Sequence, residues 1–266
     1  MSSELPFVSC LCPTYRRPQM MANTIPCFIT QDYPADRREL IILDDAGELK
    51  NETGEGWQII SISRRFRSLP EKFNALAGLA QGDILVVWED DDIYLQHHIS
   101  THVRAMEGRL WSKPSSVLST YTGKHEVEDA TGRFHASLAF RREAFERIGG
   151  WPLTKRGDFD QQLIARLTAI EAPGDPCQLD SPSWIFRWAQ TNAYHGQAFM
   201  LGPEDEGWYE RLAGLQAQRP GLVAFTVATQ SLALGGAFRR SCVQFNSTCY
   251  RRSGGTPCSA SSWRRV

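Results

Sequence analysis

No stretch of this 266-residue chain is apolar for long enough to span a bilayer. The longest candidate, LVAFTVATQSLALGGAF from Leu222, is interrupted by Thr, Gln and Gly. A basic region followed by an apolar one is missing from the opening MSSELPFVSC, so no signal peptide is expected and the expected address is cytoplasmic, with peripheral attachment at the inner membrane left open. An excess of one charge is missing too. Twenty-nine basic residues against thirty acidic ones give a net charge of -1, which removes the electrostatic case for nucleic acid or an anionic membrane surface but leaves a phosphate-bearing small molecule admissible. The seven cysteines are odd in number and include no C-x-x-C pair, which argues against a disulfide framework and a thiolate zinc site. They read as small buried hydrophobes.

What is present is an ordinary globular composition, 42% hydrophobic and 22% charged, in a chain long enough for a proper core. The first hundred residues alternate strand-like and helix-like segments. FVSCLC (7–12), ELIILDD (39–45), WQIISIS (57–63) and DILVVWE (83–89) read as strands. RPQMMANTIPCFITQ reads as a helix with Pro26 as a kink or break, and LPEKFNALAGLAQG as a helix with Pro70 in its first turn and Gly82 as its C-cap. This rhythm predicts an α/β fold with a mostly parallel central sheet flanked by helices, Rossmann-like in layout. Further on, SSVLSTYTG and RFHASLAFRR read as strands, and REAFERIGG and DFDQQLIARLTAIEA as helices. The aromatic-rich PSWIFRWAQTNAYHG reads as a loop returning to the site, and EDEGWYERLAGLQAQ as a terminal helix. The Ser-, Gly- and Arg-rich tail shows no periodicity and is expected to be weakly ordered. The expected division is one domain over 1–205, with a nucleotide-sugar half (1–110) and an acceptor half (111–205), followed by 206–266.

After the fourth strand come four carboxylates in a row, Glu89, Asp90, Asp91 and Asp92. Two carboxylates about 4 Å apart repel by roughly 4 kcal/mol at an effective dielectric of about 20, so the cluster needs a reason. The carboxyl end of a central strand is where open α/β sheets hold ligands. Hard divalent cations take carboxylate oxygens and complete their shell with water and phosphate. The alternative is a solvated acidic turn that starts a helix near Tyr94. Strand alternation would let at most two of the four converge, Glu89 with Asp91 or Asp90 with Asp92.

Three blocks, in order, carry a family resemblance: VSCLCPTYRRPQMMANTIPCFITQDYPADRRELIILDDAGE, SLPEKFNALAGLAQGDILVVWEDDDIY and FRREAFERIGGWPLTKRGDFDQQLIARL. The chain resembles family 2 glycosyltransferases of the GT-A fold over about residues 7–167, which implies a nucleotide-diphospho-sugar transferase domain.

The resemblance implies roles residue by residue. Pro13, Thr14 and Tyr15 would line the base pocket, and Asp45, rather than its neighbour Asp44, would accept a hydrogen bond from the base. Lys72 and Asn74 match a K-R-N segment, where the lysine would neutralise diphosphate charge; the alternative for Lys72 is a solvated helix residue. The family's D-x-D falls on Glu89, Asp90 and Asp91. Asp91 is the expected metal ligand, with Glu89 or Asp90 contacting ribose or a metal-bound water, and Asp92 merely starting the next helix. Asp158 matches the catalytic base, which deprotonates the acceptor hydroxyl as it attacks in line, and an N-cap role is compatible with that. His195 would reach the metal from the returning loop. Trp151, Trp184 and Trp188 would form a sugar shelf or pack in the core. His98 and His102, at i and i+4 without a third partner, read as structural.

The implied activity is metal-dependent, inverting transfer of a hexose-like sugar from a nucleoside-diphosphate sugar, a UDP-sugar first, to a hydroxyl of a sugar or glycan acceptor, with Mn2+ or Mg2+. The alternatives are a non-catalytic nucleotide-sugar or carbohydrate binder, because Glu89 and Gly157 depart from the family pattern, and a sugar nucleotidyltransferase, which would need a Gly-rich phosphate loop that PTYRRP lacks.

Overall fold

Every residue of VSCLCPT, Val8–Thr14, is buried in strand β1, as a strand covered on both faces requires. The structure is a computed structural model that describes residues 5–119, 126–153 and 158–187 and, beyond them, two short strands at 224–226 and 244–246. Helix α1 (Met21–Ile29) follows β1 after a single 3-10 turn, then strands β2 (Arg38–Asp44), β3 (Glu52–Gly54) and β4 (Trp57–Ser61). Helix α2 (Leu69–Leu79) leads into β5 (Ile84–Val87), β6 (Ile93–Tyr94) and helix α3 (His98–Ala105). The rest comprises β7 (Trp111–Ser112), β8 (Ser116–Ser119), β9 (Glu126–Asp129), β10 (Ala139–Arg141), helices α4 (Arg142–Arg147) and α5 (Phe159–Thr168), and β11 (Trp184–Phe186).

Seven strands form the main sheet in the order β3-β4-β2-β1-β5-β10-β7. Strands β4, β2, β1 and β5 are parallel, with Val8 opposite both Arg38 and Ile84, and the outer strands β3 and β10 run antiparallel to their inner neighbours. The chain steps from β1 to β2 on one side and returns to β5 on the other. The crevice between the carboxyl ends of β1 and β5 is therefore a topological switch point. A second, four-stranded sheet has the order β6-β11-β8-β9.

One cluster, including Leu11, Ile41, Phe73, Leu85, Trp111, Phe140, Trp151 and Leu163, packs α2, α4 and α5 against the main sheet. Each such side chain stabilises the fold by roughly 1.5–3 kcal/mol through burial. Helix α2 opens on Ser68, whose hydroxyl accepts from Glu71 N at 3.3 Å, while the Glu71 carboxylate reaches back to Arg67 N at 2.9 Å. This is a capping box shifted by one residue.

Four expectations are corrected. Pro26 does not break α1 into two elements, because the helix runs on to Ile29. Ala80, and not Gly82, is the C-cap of α2. Gly82 is needed for close approach instead, since a Cβ there would lie 2.6 Å from Ser9 N. No helix starts near Tyr94: Ile93–Tyr94 is strand β6, and α3 begins at His98. Of the aromatic segment expected as a loop, Trp184–Phe186 is strand β11, between β6 and β8, and 188–196 lie outside the described residues.

The chain divides into two compact units, Met1–Glu204 and Asp205–Val266. In the second, β12 (Ala224–Thr226) pairs antiparallel with β13 (Gln244–Asn246). The expected terminal helix, Trp188 and His195 lie outside the described residues.

Candidate active site

Strand β1 delivers Thr14 to the switch point, and its hydroxyl donates to Asp90 Oδ2 at 2.6 Å, across the crevice between β1 and β5. On the other side of β1, β2 ends in the Asp44–Asp45 pair, and the two side chains do different work. Asp44 accepts from Ala46 N, Glu48 N and Leu49 N, all at 2.9 Å, and from Ser61 Oγ at 2.8 Å, so it closes the turn. Burial raises its pKa, but these hydrogen bonds outweigh it and hold the carboxyl below its ordinary value. Asp45 accepts from Lys72 Nζ at 2.6 Å and from Phe66 N at 2.9 Å.

Lys72 is fully buried and also donates to the Thr14 carbonyl, tying the ends of β1 and β2 to α2. Burial lowers its pKa, and Asp45 opposes that shift. Its ammonium is thus committed to the chain's own acceptors. It is not the solvated helix lysine weighed as its alternative. Asn74, two residues along α2, donates to the Trp151 carbonyl at 3.0 Å and accepts from Trp151 N at 2.9 Å. It clamps the Gly149–Gly150–Trp151 corner, where both glycines have φ near +75°. Tyr15, beside buried Pro13 and Thr14, is half-buried, with the guanidinium carbons of Arg65 and Arg16 lying 4.2 and 5.3 Å from its ring centre.

The acidic run follows β5 directly. Its burial alternates as strand geometry predicts: Asp90 and Asp92 are 0–1% exposed, whereas the side chains of Glu89 and Asp91 are 27% and 17% exposed. Convergence does not follow that alternation. Because the chain turns after Val87, Glu89, Asp91 and Asp92 bring ligand oxygens within 4.8 Å of one another, three where at most two were expected.

Asp90 is not among these three. It pairs with Arg17 (Nη2 to Oδ1, 2.7 Å) as well as with Thr14, so both its oxygens are engaged. Burial pushes it up to about 7 although Arg17 opposes the shift. Arg17 also reaches Asp91 Oδ2 at 2.6 Å. Asp92 does not start a helix. It accepts from the Trp184 indole at 2.9 Å and from Arg187 N at 3.1 Å, while the Arg187 side chain donates to the Asp91 carbonyl. Burial, then the charges of Asp91 and Glu89, raise the Asp92 pKa well above its ordinary value. Tyr94 completes the scaffold: its hydroxyl accepts from Glu89 N at 2.7 Å and donates to the Ala136 carbonyl at 3.1 Å.

Asp158 sits at the N-cap position of α5 without making a side-chain cap bond, and accepts from Gln162 Nε2 at 3.1 Å. The next residue, Phe159, packs on His135 at 5.5 Å between ring centres, and His135 in turn faces Glu89. Helix α5 therefore begins two side chains away from the acidic cluster. Trp151 and Trp184 are 1% exposed and belong to the core rather than to a shelf. His98 and His102 are structural as read: Nδ1 of each is bonded to a serine, Ser183 at 2.9 Å and Ser112 at 2.7 Å.

Sequence reasoning gave no part in the site to Arg17, His135 and Arg187, and gave Asp92 only the start of a helix. Arg17 stood inside the first family block, and Asp92 inside the acidic run. The signal for Asp92 was the buried tryptophan of the returning segment, whose indole needs an acceptor.

Among solved structures, the chain is similar to the mannosyltransferase PcManGT from Pyrobaculum calidifontis in complex with GDP-Man and Mn2+, with a TM-score of 0.52 at 18% identity, covering 79% of this chain and 62% of that one. It is also similar to residues 1–349 of S. aureus TarS in complex with UDP-GlcNAc, with a TM-score of 0.53 at 12% identity, covering 81% of this chain and 67% of that one. The complex of the same TarS segment with UDP gives 0.51 at 11% identity. The chain thus spans about three-fifths of the mannosyltransferase's length. No protein-family model matches it, and no curated protein does. The seven-stranded α/β sheet is that of the GT-A glycosyltransferase fold.

Proposed function

From the premise of a GT-A fold, we propose that the chain is a family 2 glycosyltransferase that moves a sugar from a nucleoside-diphosphate sugar to a hydroxyl acceptor, with Mn2+ or Mg2+ and with inversion at the anomeric carbon. The observation that carries this reading is the convergence of Glu89, Asp91 and Asp92 within 4.8 Å at the switch point of the sheet. All three offer hard carboxylate oxygens, the donor set that suits Mg2+ or Mn2+ and leaves positions for phosphate. The site residues therefore fit the ion. When bound, it supplies Lewis-acid stabilisation of the leaving diphosphate. The neighbours' complexes with GDP-Man and Mn2+ and with UDP-GlcNAc support a nucleotide-sugar donor.

In this reading the chain's own residues divide the work. Glu89, Asp91 and Asp92 hold the ion, with His195 as a further ligand. The Arg17 guanidinium pairs with the Asp91 carboxylate, and the charge of Arg187, whose side chain donates to the Asp91 carbonyl, favours ionised Asp92. Pro13, Thr14 and Tyr15 border the base pocket at the end of β1, and Asp45, its position fixed by Lys72, faces the base. Asp90 braces the crevice through Thr14 and Arg17. Asp158 takes the proton from the acceptor hydroxyl as its oxygen attacks the anomeric carbon opposite the leaving group. A hexose on UDP is the first donor to try, and a sugar or glycan the acceptor.

The test is a melting-temperature panel with UDP, GDP, CDP and dTDP, with and without Mn2+. We expect one nucleoside diphosphate to raise the melting temperature in a Mn2+-dependent way in the wild type and not in Asp91→Asn. Stabilisation by none of the four would remove the donor site.

A further inference from the structure

His135, 5% exposed, lies against three aromatic rings: Phe73 at 4.9 Å, Phe159 at 5.5 Å and Trp151 at 5.8 Å between ring centres. The Trp151 indole nitrogen is 2.6 Å from His135 Nε2. An indole can only donate, so Nε2 accepts and the ring proton is on Nδ1. That Nδ1 makes no hydrogen bond, although it is buried. It faces Glu89 Oε1 at 3.5 Å, just beyond hydrogen-bond distance. The preceding residue shows that this aim is built in. Phe134 has φ +58°, a left-handed conformation costing a bulky residue on the order of 1–3 kcal/mol. Its ring packs on Trp184 at 5.4 Å and on Phe186 at 5.0 Å. This packing holds the turn that sends His135 inward.

We propose that His135 is a positioning residue for Glu89: its Nδ1–H closes the remaining gap to the carboxylate when the acidic cluster takes up its cation, and so selects which Glu89 oxygen is presented. The inference rests on the metal-site reading given above. Glu89 has one more rotatable bond than an aspartate at the same place, and its side chain is the most exposed of the three candidate ligands. A donor fixed from the interior removes that freedom. A neutral imidazole does so without cancelling the carboxylate's charge, unlike the Arg17 guanidinium at Asp91. Hydrogen bonds to a ligating carboxylate matter in this way for metal affinity generally.

The experiment is a Mn2+ titration of the full chain in the presence of UDP, following free Mn2+ by electron paramagnetic resonance, in wild type, His135→Phe, His135→Gln, Glu89→Ala and the His135→Phe/Glu89→Ala double variant. We expect His135→Phe to weaken Mn2+ binding about 10- to 100-fold. His135→Gln, which keeps a donor, should recover part of the affinity, and the loss should vanish in the Glu89→Ala background. Wild-type affinity in His135→Phe, or the same loss with Glu89 already removed, overturns the proposal while leaving the metal site standing. Absence of Mn2+ binding in the wild type overturns the metal-site reading and the proposal with it. Should His135→Phe fail to fold, nitrogen-15 spectra of the wild-type imidazole decide: a proton on Nδ1 supports the proposal, and one on Nε2 overturns it.

Discussion

Arg17 Nη1 stands 2.6 Å from Asp91 Oδ2, and Nη2 of the same guanidinium 2.7 Å from Asp90 Oδ1, so one cation serves two carboxylates of opposite exposure. Removing it strands Asp90, which is fully buried. Arg17→Met should lower the unfolding free energy by about 3–5 kcal/mol, the usual cost of breaking a buried pair from one side. Adding Asp90→Asn should restore part of it. Urea titrations of the three proteins check this; a single variant as stable as the wild type would mean that the pair contributes nothing.

Asp158→Asn should leave Mn2+-dependent stabilisation by nucleoside diphosphate intact and lower turnover about 10²- to 10⁴-fold, the range for loss of a positioned general base. Transfer and donor hydrolysis assays with the stabilising donor separate the two effects. Undiminished turnover would remove Asp158 as the base.

Stability should carry an acid limb from the histidines on α3. Burial holds His98 well below its ordinary value and His102 at about 3 rather than 6.5, with the neighbouring histidines adding to the effect. The unfolded chain binds more protons than the native one between those values, so this stabilisation is complete above about pH 6.5 and is lost as pH falls, by about 1.4 kcal/mol per pH unit for each group. Asp90 works in the opposite sense. Its native pKa of about 7 lies above the ordinary 3.8, so its contribution weakens as pH rises between them. His102→Asn, which keeps a partner for Ser112, isolates the histidine part. The variant should lose less stability than wild type between pH 6.5 and 4, and parallel curves would refute the assignment.

Gly150→Ala should destabilise the fold by about 1–3 kcal/mol. The residue has φ +74°, and a Cβ there would lie 2.6 Å from Asn74 Oδ1. Asn74→Ala removes the obstructing atom along with the Trp151 clamp, so the two substitutions should be non-additive in a double-mutant cycle of melting curves. Strict additivity would show that the corner and the clamp are independent.

The parallel half of the fold was legible because its signals are local. Continuous apolar runs gave β1, β2 and β5, and Ser68, Pro70 and Glu71 marked the start of α2. The acidic run announced the site. What stayed hidden depended on distant partners. Nothing near Asp92 shows that Trp184 and Arg187 will reach it, and a lone histidine inside RFHASLAFRR gives no hint of a tryptophan sixteen residues on that orients its ring. The misplaced helix start near Tyr94 has the same origin: two residues pair with β11 because of where β11 lies, not because of their own propensity. The sequence left Lys72 between a cleft residue and a solvated one, because helix periodicity does not reveal that the Asp45 carboxylate pairs with it.

Asp92 and the Trp184 indole are 92 residues apart in the chain, and Asp92 and Arg187 N are 95. Contacts this far apart in the chain must close a long loop, at a cost in chain entropy. The acidic loop thus acquires its final shape only after the chain through residue 187 is in place. A fragment confined to residues 1–110 would keep β1, β2 and β5 but lose both of these donors to Asp92, so the convergence of Glu89, Asp91 and Asp92, though they lie within four consecutive positions, belongs to the long-range topology of the chain.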